Sequence, residues 1–464
     1  MQNLYDEVGT LDRRCYEEFF LSEDLLMEHA AEGMARYIRN ALPKNSRILI
    51  AAGSGNNGAD GIALARLLHG DYQVDLITIK EPKSAMAKLQ TKRTEAIGLK
   101  AQKELHPPYD AVVDAVLGTG FRGVFNEHLR GWMERLNALD ALKIACDIPS
   151  GVQKEGNCEA HTFQADVTLT MGALKKSLYH DEAKAFTGRI HVLDLGVARS
   201  LYETKTPWKL LDEEDLRLPY RNNPNTHKGS YGHTAVIAGE KSGAALLSAG
   251  AALRIGSGLV TIVDCQNITV PMDLMHSEHL PENTTAIAVG MGLGNIWQEA
   301  ELDELFLHDA AYVVDADLFY NEKILRLLQK QNVVLTPHPK EFAALLRQAG
   351  IADVDTKEVQ EKRFYYAELF SRHFPSAVLM LKGANVIIAA GGEFFINPHG
   401  SAKLAKGGSG DVLAGVTAGL LAQGYTPLDA ACNASLIHTK LAKLYDGADF
   451  SLTPSALLET ISKL

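Results

Sequence analysis

The segment Lys406–Asp411 (KGGSGD) has the residue types of a phosphate-binding turn in front of a helix. Glycines let backbone amides crowd around a phosphate group, and the dipole of the helix that follows favours an anion there. Asp411 would then lie beside a transferring phosphoryl group, where its carboxylate could deprotonate a substrate hydroxyl. An alternative is that Asp411 only caps the helix, as aspartate often does.

Four further polar or glycine-rich segments in the second half of the chain each follow a predicted strand. They are Gly290–Gly294 (GMGLG), Asp315–Asp317 (DAD), Thr336–Phe342 (TPHPKEF) and Lys382–Asn385 (KGAN). Ligands of open α/β sheets gather at the carboxyl ends of the strands. Any one of these segments could be an ordinary loop without a function. The whole set, in this order on one sheet edge, predicts a single site.

In the first half, Gly53–Gly58 (GSGNNG) follows a predicted strand and fits the dinucleotide fingerprint G-x-G-x-x-G. Two details count against an ordinary NAD site. Asp75 lies at the start of the next strand, whereas a ribose-binding carboxylate belongs at its end. Pyrophosphate binding also gives no reason for Asn56, Asn57 and Asp60. Two amides and a carboxylate on a tight loop suit a polar ligand or a weakly held cation, although such residues also favour turns for their own sake.

Two more strand ends of the first half carry aspartates, Asp114 in VVDAVLGTGFRG and Asp147 in CDIPSG. A single aspartate in this position is often a cap or turn residue. Three polar, glycine-rich strand ends in one sheet favour a site instead. Oxygen atoms from asparagine, aspartate and serine would suit a hard cation, and a neighbouring carboxylate could move a proton.

The elements that must position these residues are short apolar strands separated by helical stretches. The predicted strands of the first half are Arg47–Ala52, Val74–Ile79, Ala111–Leu117, Lys143–Ile148 and Asp166–Met171. Those of the second half are His233–Gly239, Leu259–Asp264, Thr285–Gly290, Tyr312–Asp317, Val333–Pro337 and Val378–Gly383, followed by an edge hairpin over Asn385–Pro398. Ser22 is predicted to cap a helix with the apolar face Leu26, Ala30, Met34 and Ile38. This alternation predicts parallel sheets covered on both faces.

The alternation stops between Thr204 and Asn225, in a polar stretch with three prolines that reads as a linker and an irregular entry loop. Because the 464 residues exceed one ordinary core, the chain is expected to divide near residue 205.

The composition is that of a soluble globular protein, with 46% hydrophobic and 22% charged residues. A net charge of −11 without a lysine–arginine block makes nucleic acid or an anionic membrane an unfavourable partner. The five cysteines are scattered and lack metal-site spacing, which is typical of a reducing compartment. The charged N-terminus lacks the apolar core of a signal peptide, and no run is apolar for the roughly 18 residues of a membrane span. A cytoplasmic location is expected.

The motifs of both halves together resemble one known family, the bifunctional NAD(P)H-hydrate repair enzymes. The first half resembles their NAD(P)H-hydrate epimerase domain through GSGNNGADG, VVDAVLGTGFRG and DIPSG. The second half resembles their ADP-dependent NAD(P)H-hydrate dehydratase domain through HKGSYGH, GMGLG, DADL, TPHPKEF, LKGAN and GGSGD. The resemblance covers nearly the whole chain.

The resemblance implies an α/β protein with a Rossmann-like three-layer domain over residues 1–205 and a ribokinase-like three-layer domain over residues 206–464. The first domain would interconvert the two epimers of NADH or NADPH that carry a hydroxyl on the nicotinamide ring. The second would remove that hydroxyl as water at the expense of ADP, with Mg²⁺ and K⁺ as cofactors. Phosphorylation would turn the hydroxyl into a good leaving group, which the electrons of the ring nitrogen could expel. A homo-oligomer is also expected.

The resemblance further implies a role for individual residues, with Asp147 and Asp411 as the catalytic side chains. In the first domain the hydrate would contact Asn56, Asn57, Gly58, Ala59, Asp60, Gly118, Thr119, Gly120, Phe121, Arg122, Gly123, Val124 and Asp147. Potassium would be held by Asn57, Asp114 and Ser150. In the second domain the hydrate would contact Ala244, Gly292, His338 and Asp411. The adenine nucleotide would contact Lys382, Gly383, Ala384, Asn385, Val386, Gly407, Gly408, Ser409 and Gly410.

The sequence departs from the family pattern at five positions. Ala59 and Asn385 stand where glycine is usual, and Ser409 replaces a threonine but keeps its hydroxyl. Lys340 replaces the glycine of HPGEF, and Lys406 adds a cation beside the glycine turn. None of these changes removes a functional group with an assigned role, while the two lysines bear on nucleotide preference.

Two other functions fit part of the sequence. A ribokinase-like small-molecule kinase would use the same glycine turn but would leave the epimerase-like half unexplained. A non-catalytic module is the other alternative, because epimerase-like domains also occur as scaffolds in RNA-decay proteins. Asn57, Asp147 and the acidic surface argue against it.

Overall fold

Short apolar runs of the first half form strands because their β-branched residues can be covered on both faces. The computed structural model describes residues 1–266 and 268–464. The strands are β1 (Gln2–Tyr5), β2 (Arg47–Ala52), β3 (Gln73–Thr78), β4 (Ala111–Ala115), β5 (Leu142–Cys146), β6 (Val167–Met171), β7 (Leu174–Lys175) and β8 (Arg189–Leu193). The helices are α1 (Gly9–Glu17), α2 (Glu23–Ala41), α3 (Asn56–Leu68), α4 (Ala85–Ala96), α5 (Glu127–Asn137), α6 (Lys184–Thr187) and α7 (Arg199–Tyr202).

Six of these strands form a parallel sheet in the order β3-β2-β4-β5-β6-β8. Alternate side chains of β2 enter different cores, because successive residues of a strand point to opposite faces. Ile48 and Ile50 pack with α2 and α3, whereas Leu49 and Ala51 pack with α5. The predicted α/β sheet with helices on both faces is confirmed.

The second half of the chain contains ten strands and nine helices among the described residues. The strands are β9 (Trp208–Leu210), β10 (His233–Ile237), β11 (Leu259–Val263), β12 (Met275–Ser277), β13 (Ala286–Val289), β14 (Ala311–Val314), β15 (Val333–Leu335), β16 (Ala377–Leu381), β17 (Val386–Ala390) and β18 (Glu393–Asn397). The helices are α8 (Ser242–Arg254), α9 (Glu299–Leu305), α10 (Ile324–Leu327), α11 (Pro339–Gln348), α12 (Thr356–Glu361), α13 (Arg363–His373), α14 (Ser409–Ala422), α15 (Pro427–Leu444) and α16 (Pro454–Thr460).

The sheet of the second half runs β12-β11-β10-β13-β14-β15-β16-β17-β18-β9. Its strands are parallel except for β17, which is antiparallel to both of its neighbours. One face is covered by α8, α14, α15 and α16, whose small side chains allow close packing. On the other face α11 and α13 bury Phe342 and Phe370, whose ring centroids are 5.9 Å apart. This three-layer arrangement confirms the α/β class of the second half as well.

The hairpin of β17 and β18 exists, but its prediction as the edge of the sheet is wrong. β18 pairs on its outer side with β9, which lies in the stretch that was expected to be linker and irregular loop. The reason is non-local burial: the Trp208 ring stacks on Phe394 at 4.6 Å and meets Phe364 edge-on at 5.3 Å. A short polar-looking segment therefore becomes a strand because its one tryptophan has a partner in the sheet.

The chain divides into two units, Gln2–Thr206 and Pro207–Leu464, with Met1 counted in the second. Each unit has its own buried apolar core. Across the described residues, no helix combines the length and the apolar character needed to cross a bilayer.

Candidate active sites

The glycines of Gly53–Gly58 let the loop after β2 approach the end of β4. The Gly53 amide donates to the Ala115 carbonyl at 3.0 Å, and a Cβ on Gly53 would lie 1.9 Å from the Val116 carbonyl oxygen. A Cβ on Gly58 would lie 2.0 Å from the Gly53 carbonyl oxygen. The motif thus serves close backbone packing, which brings the start of α3 against the end of β4.

Asn56 to Asp60 lie in the first turns of α3, so their expected place on a tight loop is wrong. Gly55 is the N-cap of this helix, and the side chains of Asn56 and Asn57 have different partners. Asn57 Nδ2 donates to the Leu117 carbonyl at 3.0 Å, whereas Asn56 Nδ2 donates to Glu23 Oε1 at 2.7 Å. Asp75 lies away from this edge, paired with Arg47 at the start of β2 at 2.9 Å.

Asn57 and Ser150 both bond to the backbone of Leu117, and Ser150 also bonds to Asp114. Ser150 Oγ accepts from the Leu117 amide at 2.8 Å and donates to Asp114 Oδ1 at 2.7 Å. The Ser150 amide donates to Asp114 Oδ2, also at 2.7 Å. Burial raises the pKa of Asp114 to about 6, although the hydrogen bonds from Ser150 and Val116 oppose the shift. The structure therefore places a side-chain amide, a hydroxyl and a carboxylate around the end of β4.

Asp147 follows β5 in a backbone conformation that is rare for a residue other than glycine, with φ at +68°. Its Oδ1 accepts from the Met171 amide at 2.9 Å, from Thr170 Oγ1 at 3.2 Å and from Lys175 Nζ at 2.5 Å. Lys175 is 1% exposed and was not identified from the sequence, because nothing in GALKKS distinguishes a buried lysine from a solvated one. The strained backbone and the buried partner fix the direction of the Asp147 carboxylate.

Asp60 lines a cavity of about 110 Å³ together with Asp12, Tyr16, Glu23, Asn56 and apolar side chains. Burial raises the pKa of Asp60 well above its ordinary value, and the charges of Asp147, Asp12 and Glu23 add to the rise. A carboxyl group in this position keeps its proton to a higher pH than a solvated aspartate does.

The loop Gly118–Val124 connects β4 to α5, and much of it is exposed. Arg122 Nη1 donates to the carbonyls of Thr119 at 2.9 Å and Phe121 at 2.6 Å, so the guanidinium group folds onto its own loop. Val124 is 81% exposed, whereas Phe121 packs against Phe125 with ring centroids 5.1 Å apart. Among the described residues, no hydrogen bond or ion pair joins Arg122 to Asp147.

In the second unit the glycine turn places the N-terminus of α14 beside two charged side chains. Gly408 adopts φ +91°, which glycine allows without strain, and the helix begins at Ser409. A Cβ on Gly410 would lie 3.4 Å from Lys382 Nζ and 3.8 Å from Asp315 Oδ2. The strand ends of β14 and β16 thus meet the start of α14, as the sequence predicts.

Lys382 is the centre of this group of charges. Its Nζ lies 2.8 Å from Asp315 Oδ1 and 3.7 Å from Glu341 Oε2. Burial lowers the pKa of Lys382, but the neighbouring carboxylates of Asp315 and Glu341 outweigh burial and raise it. Burial, followed by the charge of Asp315, raises the pKa of Asp411 to about 6, while Lys382 opposes this rise. Asp411 is therefore a carboxyl group that gains and loses a proton near neutral pH.

His338 caps α11 and lies in the same group. Its Nδ1 accepts from the amides of Lys340 and Glu341 at 3.2 and 3.3 Å, and its Nε2 lies 3.2 Å from Glu341 Oε1. Burial and then the charge of Lys382 lower the pKa of His338, which favours the neutral ring. Burial raises the pKa of Glu341. The helix cap therefore also sets the direction of a histidine at the site.

Ala244, in the first turn of α8, lies beside Gly292, which follows β13. Gly292 has φ +58°, and a Cβ placed on it would lie 3.4 Å from the Ala244 Cβ. Gly292 lines a cleft of about 580 Å³ with Lys241, Asp317 and other polar residues. Ala316, at φ +49°, turns the chain so that Asp315 reaches Lys382 while Asp317 Oδ2 accepts from the Gly294 amide at 3.1 Å. This cleft is large enough for part of a ligand.

The loop Lys382–Val386 is supported from beneath by Arg363, which the sequence did not identify. Arg363 Nη2 donates to the carbonyls of Leu381, Lys382 and Asn385 at 3.3, 3.2 and 3.1 Å. Burial lowers the pKa of Arg363 to about 9, so the group remains charged at neutral pH. No pattern in the sequence marks this arginine, because it acts on backbone atoms that only the fold brings near.

The departures from the family pattern have simple local environments. Ala59 is buried, and its methyl group packs with Met27 and Ala87. The Ser409 hydroxyl lies 2.9 Å from Nε2 of His438, whose pKa burial lowers to about 4. Lys406 Nζ donates to the Phe450 carbonyl at 2.6 Å. Ser409 and Lys406 thus direct their side chains to protein partners in this structure.

Comparison with known proteins agrees with a two-site α/β enzyme. A family model described as NAD(P)H-hydrate dehydratase matches residues 234–463, and a model described as YjeF-related protein N-terminus matches residues 23–177. The bifunctional NAD(P)H-hydrate repair enzyme of Helicobacter pylori is 43% identical over 100% of both chains. The enzyme of the same name from Escherichia coli is 31% identical over 93% of this chain and 87% of its own.

A solved structure of an ADP/ATP-dependent NAD(P)H-hydrate dehydratase from Bacillus subtilis, co-crystallised with ATP and Mg²⁺, is 30% identical to part of the chain. It aligns with a TM-score of 0.48 and covers 55% of this chain and 96% of its own. Because the chain is 43% identical to a repair enzyme over the full length of both proteins, it belongs to the bifunctional NAD(P)H-hydrate repair enzyme family.

Proposed function

We propose that the protein repairs hydrated NADH and NADPH in two reactions. The first domain, residues 1–205, interconverts the R and S epimers, and the second, residues 206–464, dehydrates the S epimer at the expense of ADP. The observation that carries this proposal is the similarity to enzymes named for this repair, which reaches 43% identity and covers both halves of the chain. Both candidate sites also keep a carboxyl group in a partly closed, polar environment.

In the second domain, Asp411 is the proposed base. It removes the proton from the ring hydroxyl while the oxygen attacks the terminal phosphorus of ADP, and the bond from that phosphorus to the bridging oxygen breaks to release AMP. The nucleotide lies against Lys382–Val386 and Gly407–Gly410, where helix amides and the Lys382 ammonium offset its charge. The hydrate contacts Ala244, Gly292 and His338.

A magnesium ion bound with the nucleotide would neutralise charge on its phosphates. Asp315 and Glu341 offer the carboxylate oxygens that Mg²⁺ prefers, and both lie at this strand edge. The phosphate ester then loses phosphate, because the electrons of the ring nitrogen expel it more readily than they expel hydroxide. The neighbouring ring carbon loses a proton, which restores the ring double bond and gives NADH or NADPH.

In the first domain, the hydrate is proposed to lie over the start of α3, in contact with Asn56–Asp60, the loop Gly118–Val124 and Asp147. A potassium ion would be held by Asn57, Asp114 and Ser150, since the Asp114 carboxylate and the Ser150 hydroxyl supply oxygens of the kind hard cations take, and the Asn57 side chain lies against the same loop. Among the described residues, no three histidine, cysteine, aspartate or glutamate side chains cluster as a transition-metal centre would require. A weakly held monovalent cation needs no such cluster.

The test is to incubate the protein with each purified epimer of hydrated NADH, with ADP or ATP, and to follow recovery of absorbance at the NADH band. Recovery from the S epimer with ADP, and recovery from the R epimer through the S form, are expected. A stable phosphorylated product without NADH would instead indicate a ribokinase-like kinase. Retention of RNA at physiological salt without turnover of either epimer would indicate a scaffold.

A further inference from the structure

Asp147 presents only one of its carboxylate oxygens to a ligand. Its Oδ1 accepts three hydrogen bonds, from the Met171 amide, Thr170 Oγ1 and Lys175 Nζ. No hydrogen bond among the described residues reaches Oδ2, and the side chain is 15% exposed. The saturated oxygen fixes the orientation of the carboxylate, so Oδ2 is the atom available to a substrate.

The ammonium group of Lys175 bonds to Asp147 and to the residues that hold Asp147. Its ammonium group donates to Asp147 Oδ1, to Thr170 Oγ1 at 2.9 Å and to the Met171 carbonyl at 3.3 Å, which uses all three protons. Burying a lysine with a carboxylate is seldom more stabilising than an apolar pair of the same size. A completely satisfied buried ammonium group beside a strained aspartate therefore indicates a role in the site.

The other titratable groups around Asp147 are mainly acidic. Met171, whose amide donates to Asp147, also lines the cavity that is lined by Asp12, Tyr16, Glu23 and Asp60. The Tyr202 hydroxyl donates to Asp12 Oδ1 at 2.7 Å. Lys175 is the cation whose charge acts on Asp12 and Asp60. The ammonium group touches Asp147 and neither Asp12 nor Asp60, so Asp147 is the carboxylate that it holds in place.

Asp60 has the opposite environment. No hydrogen bond among the described residues involves its side chain, and burial with the charges of Asp147, Asp12 and Glu23 raises its pKa well above the ordinary value. A carboxyl group that keeps its proton and a carboxylate held by an ammonium group can act together as acid and base in one reaction.

We propose that Lys175 is a positioning residue that holds Asp147 as the proton acceptor of the first site, with Asp60 as the proton donor. The proposal rests on the proposed epimerisation. The hydroxyl of the hydrate is on the ring carbon bonded to the ring nitrogen, so the ring can open there. Asp147 takes the hydroxyl proton, the carbon–oxygen bond becomes a carbonyl, and the carbon–nitrogen bond breaks. Its electron pair stays on nitrogen, which takes the proton of Asp60.

Closure reverses these transfers after the aldehyde has turned its other face to the nitrogen. The nitrogen returns its proton to Asp60, the new oxygen takes the proton from Asp147, and the carbon–nitrogen bond re-forms. Both carboxyl groups end in their starting states, so the cycle requires no water, oxidant or reductant.

The test uses the full-length protein without nucleotide, so that dehydration does not occur, and follows one purified epimer into the other by chromatography between pH 5 and 9. Lys175→Met is expected to lower kcat at least tenfold with KM changed less than threefold, and Lys175→Arg to recover at least a third of the lost rate. The acid limb of the Lys175→Met profile should move to higher pH, because a carboxylate without its ammonium partner takes up a proton more readily. Asp60→Asn should remove the alkaline limb.

Lys176→Met is the matched control, because this neighbouring buried lysine pairs with the exposed Asp6 at 2.6 Å instead of with Asp147. Its kcat and pH profile are expected to equal those of the wild type. Thr170→Val keeps the shape of the side chain but removes the hydroxyl that bonds to both Asp147 and Lys175. A three- to tenfold loss of kcat is expected.

Wild-type kcat and an unmoved acid limb in folded Lys175→Met or Thr170→Val would overturn the proposal. Equal losses in Lys176→Met and Lys175→Met would also overturn it, because they would indicate only a structural role. Absence of epimerisation in the wild type would refute the proposed function itself.

Discussion

At the scale of single residues, Asp411 lies in the first turn of α14, whose N-cap is Gly408, so the alternative that Asp411 only caps the helix is wrong. Burial and the nearby Asp315 raise the pKa of Asp411 to about 6, whereas an aspartate in the first turn of a solvated helix is stabilised in its ionised form. A group of this kind is ionised at pH 7 and accepts a proton more readily than an ordinary aspartate.

Replacing Asp411 by asparagine is therefore expected to lower ADP-driven dehydration by about 10²–10⁴-fold, the range for loss of a general base. In the wild type the rate should fall about tenfold per pH unit below about 6, since only the ionised carboxylate accepts the proton. Steady-state rates between pH 5 and 8 measure both effects. Near-normal turnover of Asp411→Asn at pH 7 would refute the assignment.

Nucleotide binding and folding provide the controls for Asp411→Asn. ADP affinity should be largely retained, because the glycine turn and Lys382 are unchanged. A carboxyl group whose folded pKa is raised stabilises the fold below its unfolded pKa and loses that contribution as pH rises through the folded value. The thermal stability of the variant at pH 8 should thus be no lower than that of the wild type.

At the scale of elements, the position of α14 depends on its contact with α8. A Cβ on Gly415 would lie 2.1 Å from the Ser248 carbonyl oxygen, and Ser248 Oγ donates to the Asp411 carbonyl at 2.8 Å. The same contact that lets the helices approach therefore also fixes the turn that carries the base.

Gly415→Ala is expected to destabilise the protein by about 1–3 kcal/mol, because the methyl group meets backbone that cannot move aside without shifting a helix. Dehydration should fall more than epimerisation, since the shift displaces Asp411. Gly243→Ala is the control for stability in the same unit, because no atom lies within 4 Å of its added Cβ. Thermal unfolding and the two epimer assays measure these effects, and equal stability of the two variants would contradict the packing argument.

At the scale of the whole molecule, the two units have separate cores and separate candidate sites. A ligand that binds only the folded form stabilises what it binds, by about 2.7 kcal/mol at a hundred times its Kd. The nucleotide is proposed to bind the second unit alone.

Hydrogen exchange with and without ADP should therefore show added protection around Lys382–Val386 and the start of α14. The segment Gly53–Asp60 should exchange at an unchanged rate, and so provides the internal control. Protection of Gly53–Asp60 at the same ADP concentrations would place a nucleotide site in the first unit and contradict the division of the two reactions.

Much of this architecture could be predicted from local features of the sequence. Strand periodicity, the Ser22 cap and the glycine turn before α14 depend on residues close together in the chain, and each is present in the structure. For the same reason the strand ends of the second half could be assigned to one edge, where Asp315, Lys382 and Gly410 meet. Asn56 to Asp60 were placed wrongly in a loop, because amides and glycines favour turns and helix starts alike.

Only the tertiary structure decided which of the polar side chains at the strand ends are buried and which partners they bind. The strand β9 forms because Trp208 finds Phe394, far along the chain, and Lys175 reaches Asp147 only after β6 and β7 have packed. The raised pKa values of Asp60 and Asp411 depend in the same way on burial and on neighbours brought in by folding. The sequence determined which residues stand at the strand ends, since that is a local property. The fold determined their proton affinities, because burial and charge pairing are non-local.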